Sequence, residues 1–260
     1  MRVDPYALIL DYPVLVWVLS GLCLLGSAWI GKACSGKQQI LEAETREYYR
    51  VIEAATLTLL GLIIGFTFSM ALNRYDMRKN YEEAEANAIG TEFVRADLLS
   101  AADAAKLRLL LVKYVEHRIQ YYETRRGPEL DQINAQTPPL QAALWSAVQV
   151  PAVQQPNPVN ALVIAGMNDV LNSQGYTQAA RWNRIPLAAW ILMLAIAIAA
   201  NVQLGYGVGN TKSKSRLLLI LPLVVSISFL LIADIDSPAS GLIRVVPQNL
   251  VSLAQSLHAP

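Results

Sequence analysis

The chain has 260 residues, with 21 basic against 20 acidic side chains and a formal net charge of +1. It is 54% hydrophobic and only 16% charged, with a mean hydropathy of +0.34, whereas soluble domains carry about 25% charge. The neutral balance argues against a nucleic-acid partner, which would need a basic excess. The apolar content excludes a disordered chain, and two cysteines, Cys23 and Cys34, exclude a disulfide scaffold or a four-cysteine metal site.

The first apolar run, Val14 to Ile30, is 17 uncharged residues between Pro13 and Gly31-Lys32. At about 1.5 Å per residue it nearly crosses a hydrocarbon layer of about 30 Å. A cleaved signal peptide is the competing reading, but Asp4 and Asp11 spoil the basic leader and the run exceeds the usual length. The second run, Ala54 to Leu72, is 19 residues without a charge; the third, Ile185 to Leu204, is 20; the fourth, Leu217 to Ala233, is 17. Pro186 suits the first turn of the third, with Trp182 and Trp190 as interface anchors. Pro222 is expected to kink or break the fourth.

The fold class read from this pattern is all-α: a four-span helical membrane protein with a helical extramembrane stalk. Residues 1–72 hold the first two spans, 73–184 the stalk, 185–233 the last two spans, and 234–260 a C-terminal turn and helix. An even number of spans puts both termini and the 112-residue loop on one side. Near the spans that side carries Arg2, Arg74, Arg78, Lys79, Arg181, Arg184 and Arg244. The other carries Lys32, Lys37, Arg46, Arg50, Lys212, Lys214 and Arg216. Seven against seven leaves the orientation open on charge alone.

Within the stalk, Asn73 to Leu99 has no proline and reads as a continuation of the second span. Ser100 is placed to cap a helix with Asp103 in its first turn, followed by Leu107, Leu110, Leu111, Tyr114, Val115, Arg118 and Ile119 at helical spacing to about Arg125. Six of the 13 prolines fall between 127 and 160, which reads as a loop with a short helix at most through Leu140 to Val148. Asn160 is the expected cap of the next helix.

No enzyme motif emerges. His117 sits in a helix as an exposed histidine and His258 at a frayed end, no spacing suits a metal, and no phosphate loop or nucleophile elbow is present. The chain is therefore read as a non-enzyme without cofactor or metal. The second span is the informative element. Gly61, Gly65 and Ser69 form a small-residue stripe, and Thr58, Leu62, Phe66 and Met70 run beside it, four apart. Such a helix can line a narrow passage in an oligomer, with apolar rings that gate by dewetting. In the alternative reading its hydroxyls bond back to their own helix and its apolar residues face lipid. The following run, Arg74, Arg78, Lys79, Glu82, Glu83 and Glu85, reads as an exposed helix laced by i,i+4 pairs or as a charged vestibule. After Asp234, Asp236 or Ser237 reads as the cap of a new helix with Pro238 at its first position, or the two carboxylates, Asp234 and Asp236, as a cation-binding or gating turn.

These segments resemble the bestrophin family of anion channels, particularly its bestrophin-like bacterial members of unassigned function. The resemblance lies in Gly65-Phe66 with Arg74 eight residues later, in Arg78-Lys79 and Asn87, in the Asp234-x-Asp236-x-Pro238 turn with Gly241, and in the stretch Glu85–Leu99. It implies a homo-oligomer, a pentamer in true bestrophins, around one central pore. The neck would be lined by Phe66, Leu62 and Thr58, with Ser69 and Met70 beside them, and Arg74, Arg78, Lys79, Asp234 and Asp236 would form a vestibule or gating turn. Thr58 departs from the apolar pattern of that neck, and Tyr75-Asp76 only partly matches the aromatic pair usual there. Asp234 and Asp236 alone do not make the calcium clasp of animal members. The resemblance also implies a multi-pass protein of the bacterial inner membrane, with termini and stalk cytoplasmic. Its partners would be lipid, its own copies and small anions. Two other functions stay open: a non-conducting scaffold or sensor that binds a partner through its helical stalk, with the proline-rich segment around Pro138 and Pro151 as the natural docking loop, and a transporter using a break at Pro222.

Overall fold

A computed structural model describes residues 10–35, 43–208 and 218–258. Arg2, Lys37, Lys212, Lys214 and Arg216, used in the charge comparison, lie outside the described residues. Among those described, all regular elements are helical: α1 (Pro13–Ser35), α2 (Ala43–Arg95), a 3₁₀ turn (Ala96–Leu98), α3 (Ala101–Glu123), α4 (Pro128–Gln154), α5 (Pro158–Trp182), α6 (Leu187–Val208), α7 (Ile220–Asp236) and α8 (Gln248–His258). The chain divides into two compact units. The first comprises Met1–Asn73 and Arg184–Ile243, the second Arg74–Asn183 and Arg244–Pro260. Helix α2, 53 residues long, contributes to both.

In the first unit α1 packs against α6 and α7. Its buried residues recur at helical spacing: Val16, Ser20, Leu24, Ser27, Ala28 and Gly31. The hydroxyls on this face bond back to their own helix, Ser20 to Trp17 O at 3.1 Å and Ser27 to Cys23 O at 2.8 Å, so they add no unmet polar group to an apolar seam. At the α1–α6 crossing two glycines face the opposite backbone. A Cβ on Gly31 would lie 2.0 Å from Val202 O, and one on Gly205 2.0 Å from Ala28 O. Trp190 is not an interface anchor: it is 8% exposed and meets Phe229 edge to face at 6.2 Å. Trp182, at 61%, is exposed.

Pro222 does not break the fourth run. Helix α7 is continuous from Ile220, so Pro222 lies in its first turn, where a backbone N–H has no intrahelical acceptor to miss. Among the described residues three helical stretches are long and apolar enough to cross a membrane, Pro13–Ser35, Glu47–Leu98 and Pro158–Gly207; α7 has 17 residues.

The second unit is built on a core in which Ile89, Leu107, Leu111, Tyr114, Leu144, Met167, Val170 and Leu250 are all fully buried. Helix α3 starts as its sequence requires: Ser100 Oγ accepts from Asp103 N at 3.3 Å and donates to Asp103 Oδ2 at 2.6 Å. The proline-rich segment, read as a loop, is instead the 27-residue helix α4. Pro128 opens it at the first turn. Pro138 and Pro139 free the carbonyls of Asn134 and Ala135, which lie on the exposed face and can be solvated, while Leu130, Ile133, Thr137, Leu144, Ala147 and Val148 bury the other face. The next cap is Asn157 rather than Asn160. Asn157 Oδ1 accepts from Asn160 N at 2.8 Å, and Pro158 occupies the first helical position.

Helix α8 carries Leu250, Leu253, Ala254 and Leu257 at positions that make one apolar stripe on this core. Its start is held by α2: Glu82 Oε1 accepts from Leu250 N at 3.0 Å, and Asn249 Nδ2 donates to Glu82 Oε2 at 2.7 Å. The carboxylate thus meets both an orphan donor and the positive end of the helix dipole. Its far end is not frayed, since helix continues to His258, whose Nε2 lies 3.3 Å from Glu116 Oε1. Glu82→Ala is expected to cost about 1–3 kcal/mol and to release α8, seen as faster protease cleavage within 248–258.

Candidate functional site

The residues expected to line a pore share one face of α2 in the first unit, and their own chain leaves that face open. Leu62 is 51% exposed, Phe66 62% and Met70 39%; Thr58 and Ser69 are exposed as well. Beside them a Cβ added to Gly61 or Gly65 would meet nothing within 4 Å. Only 11% of the apolar window of this helix is buried by the chain itself, against 33% in each of the other two stretches. The hydroxyls behave as the blander reading expects: Thr56, Thr58 and Thr67 donate to the carbonyls of Ile52, Ala54 and Ile63, each at 2.8 Å. Thr58 therefore presents its methyl and a satisfied hydroxyl, which makes it less polar than its name suggests.

Asp234 and Asp236 remain within α7 and do not cap a new helix. Asp234 Oδ1 and Oδ2 accept from Leu242 N at 2.7 Å and Ile243 N at 2.8 Å, folding the following turn back on the helix end. Gly241 is required there, because a Cβ would stand 2.4 Å from Asp234 O. Asp236, 1% exposed, accepts from Ile185 N at 3.2 and 3.3 Å. Arg184 pairs with Asp11 beside it. Both carboxylates are thus occupied by backbone donors, and no cluster of potential metal ligands occurs among the described residues.

In the second unit Arg74 donates to Asn183 Oδ1 and Lys79 is exposed, but Arg78 is 5% exposed, Glu82 1% and Glu85 0%. The exposed, self-paired helix expected there is not what forms. Arg78, Glu82, Glu85, Ile89 and Glu92 recur at three or four residues and make the buried face of α2 in this unit, which Ala96 of the 3₁₀ turn continues. Glu85 receives Arg118 Nε at 2.5 Å and Nη2 at 3.4 Å, with Tyr122 Oη and Thr177 Oγ1 each 3.2 Å from Oε2. Burial alone would lower the Arg118 pKa, but the Glu85 carboxylate outweighs it and holds the guanidinium above its usual value. The Tyr121 ring centre lies 4.1 Å from the guanidinium of Arg118 and 4.3 Å from that of Arg181.

His117 is buried rather than exposed, at 8%. Thr137 Oγ1 donates to Ile133 O at 3.1 Å, so the 2.9 Å contact with His117 Nε2 requires the imidazole N–H to donate. Burial, and then the neighbouring Arg118 charge, pushes its pKa below the usual histidine value. The sequence carried a signal for Arg118: it sits on the apolar spacing of α3, four residues after Tyr114. A charge on a buried face needs a buried partner, and Glu85 is that partner.

The bestrophin-like domain matches residues 18–250 of this chain. The chain belongs to the bestrophin-like family. Its fold is similar to the crystal structure of a bacterial bestrophin homologue from Klebsiella pneumoniae, at 13% identity and a TM-score of 0.61, over 94% of this chain and 95% of that one. Two single-substitution variants of that homologue compare alike: one at 12% identity and a TM-score of 0.60, over 93% and 97%, the other at 12% and 0.62, over 94% and 96%. No curated protein matches. The family resemblance read from Gly65-Phe66, Glu85–Leu99 and the Asp234 turn is therefore borne out, as is the all-α class. Bestrophin-like membership, together with the apolar helices, makes this a membrane protein whose fold supports a channel-like role.

Proposed function

We propose that this bestrophin-like chain assembles as a homo-oligomer, a pentamer by family likeness, around a central pore that conducts small anions. The observation that carries this reading is the open face of α2. An apolar helix that its own chain covers over only 11% of its window has most of its surface left for other molecules. Copies of that helix around one axis would bury the small side, Gly61 and Gly65, against neighbours and turn Thr58, Leu62, Phe66, Ser69 and Met70 inward. Rings of Leu62 and Phe66 exclude water at a constriction. Large, weakly hydrated anions lose least on entering it, so iodide and nitrate should pass better than chloride. Arg74 and Lys79, beyond the apolar run, would raise the local anion concentration; Arg78 is too buried for that work, Asp234 fixes the turn after α7, and Asp236 ties the end of α7 to the backbone just before α6. In this reading α7 is a fourth span, the membrane is the bacterial plasma membrane, and both termini are cytoplasmic.

The scaffold alternative, in which the helical stalk binds a partner, loses its proline-rich docking loop, because that segment is the helix α4. The transporter alternative rested on a break at Pro222 within a helix that is continuous.

The test is anion flux from liposomes containing the purified protein. Leu62→Ala and Phe66→Ala are each expected to raise flux several-fold and to weaken the preference among halides. Absence of flux in the unmodified protein, or selectivity for cations, would reject the proposal.

A further inference from the structure

Glu92, in the part of α2 that belongs to the second unit and lies beyond the apolar run, is 0% exposed, and neither Oε1 nor Oε2 has a hydrogen-bond partner. The closest cation, Arg95 Nη1, is 4.0 Å from Oε2, outside hydrogen-bond range. The facing residue on α5 is Gly166, where a Cβ would stand 2.0 Å from Glu92 Oε2 and 2.2 Å from Arg95 Nη1. One turn further along α5, Asp169 adds a like charge. On α3, Arg108 is held by Asp97 and lies 5.2 Å from the centre of the Phe93 ring.

A carboxylate in this position would be a buried charge without donors, which is far costlier than a buried neutral acid. A second copy of the chain cannot supply the missing donor, nor can solvent, because the side chain is already fully enclosed within one chain. Arg95, a third exposed and at the limit of ion-pair distance, offsets that charge only in part, and a proton removes it. We propose that Glu92 is a proton-held latch: as a neutral acid it lets α5 close on α2 at Gly166, and loss of the proton loosens that seam. Burial pushes its pKa up to about 8, with Arg95 lowering it and Asp169 raising it.

The sign follows from linkage. An opened seam exposes Glu92 and returns it to an ordinary carboxyl pKa of 4.5, while the closed seam holds the proton up to about 8. Opening therefore becomes easier as pH rises through that window, by up to about tenfold per pH unit, and levels off above it. This device is independent of conduction, and so is its test: hydrogen exchange of the full-length protein from pH 6 to 9, comparing residues 163–170 of α5 with residues 144–148 of α4. The ratio of the two segments cancels the intrinsic pH dependence of exchange. In the unmodified protein the α5 segment should lose relative protection by up to about fifty-fold between pH 6 and 8 and then level off. Glu92→Gln, which keeps the shape and cannot ionise, should give a flat ratio with protection at least as high as that of the unmodified protein at pH 6. A flat ratio in the unmodified protein, or the same fall in Glu92→Gln, would overturn the proposal. A second readout is the thermal midpoint: the stabilisation by Glu92→Gln should be larger at pH 8.5 than at pH 6, and an equal effect at both would also overturn it.

Discussion

Arg118→Ala is expected to destabilise the second unit by about 3–5 kcal/mol, because it leaves the Glu85 carboxylate buried with only hydroxyl partners. Both side chains of this pair are fully buried, so solvent does not soften the loss. The Tyr121 ring would lose one of its two guanidinium contacts at the same time. Since total stability of a domain is about 5–15 kcal/mol, the variant should show a strongly lowered melting temperature and poor recovery from the membrane. The paired replacement Glu85→Gln with Arg118→Met should restore much of the loss, because it removes both charges and keeps most of the volume. A loss below about 1 kcal/mol for Arg118→Ala would mean that the unit does not depend on the pair.

Gly31→Ala and Gly205→Ala should each cost about 3 kcal/mol, the upper part of the usual range for overpacking. Each added methyl would fall 2.0 Å from a backbone oxygen, Val202 O in one case and Ala28 O in the other. Neither oxygen can step aside as a flexible side chain could, so α1 and α6 would have to separate along the seam that includes Leu24, Ala28, Ala197 and Ala200. The control is Gly26→Ala, where a Cβ meets nothing within 4 Å; that change should be neutral or slightly stabilising. Thermal melting in detergent separates the two expectations, and equal effects at Gly31 and Gly26 would refute the close crossing.

The parts of this protein that could be read from sequence were those set by local or strongly periodic rules. Uncharged runs of 17 to 20 residues announce helices that need lipid. The absence of proline from Asn73 to Leu99 lets α2 continue past its apolar run, and Ser100 starts α3 with the cap its side chain provides. The family resemblance rested on short motifs that also sit at structural necessities. Gly241, for example, lies against Asp234 O where no other residue fits.

Other parts were not legible, because tertiary packing decided them. Proline counts argued for a loop where α4 forms, since the freed carbonyls of Asn134 and Ala135 face outward and the opposite face buries Ile133, Leu144 and Val148. The run Arg78 to Glu85 looked like a solvated helix because its charges pair well at i,i+4. The partners that bury it, Arg118, Asn249 and Leu250, lie 33 to 168 residues away. Glu92 gave no signal at all: its isolation depends on Gly166, 74 positions later, and on nothing local. The stripe Thr58, Leu62, Phe66 and Met70 was visible as a stripe, but a helical pattern alone does not say whether an apolar face meets lipid or its own copies.

That last point is tested most directly by imaging the purified protein in lipid nanodiscs at side-chain resolution. The account predicts a ring of identical chains with a continuous opening at its centre, in which Leu62 and Phe66 of every copy face the common axis and Gly61 and Gly65 lie against a neighbouring α2. A particle in which Leu62 and Phe66 touch acyl chains, with no opening along any symmetry axis, would contradict it.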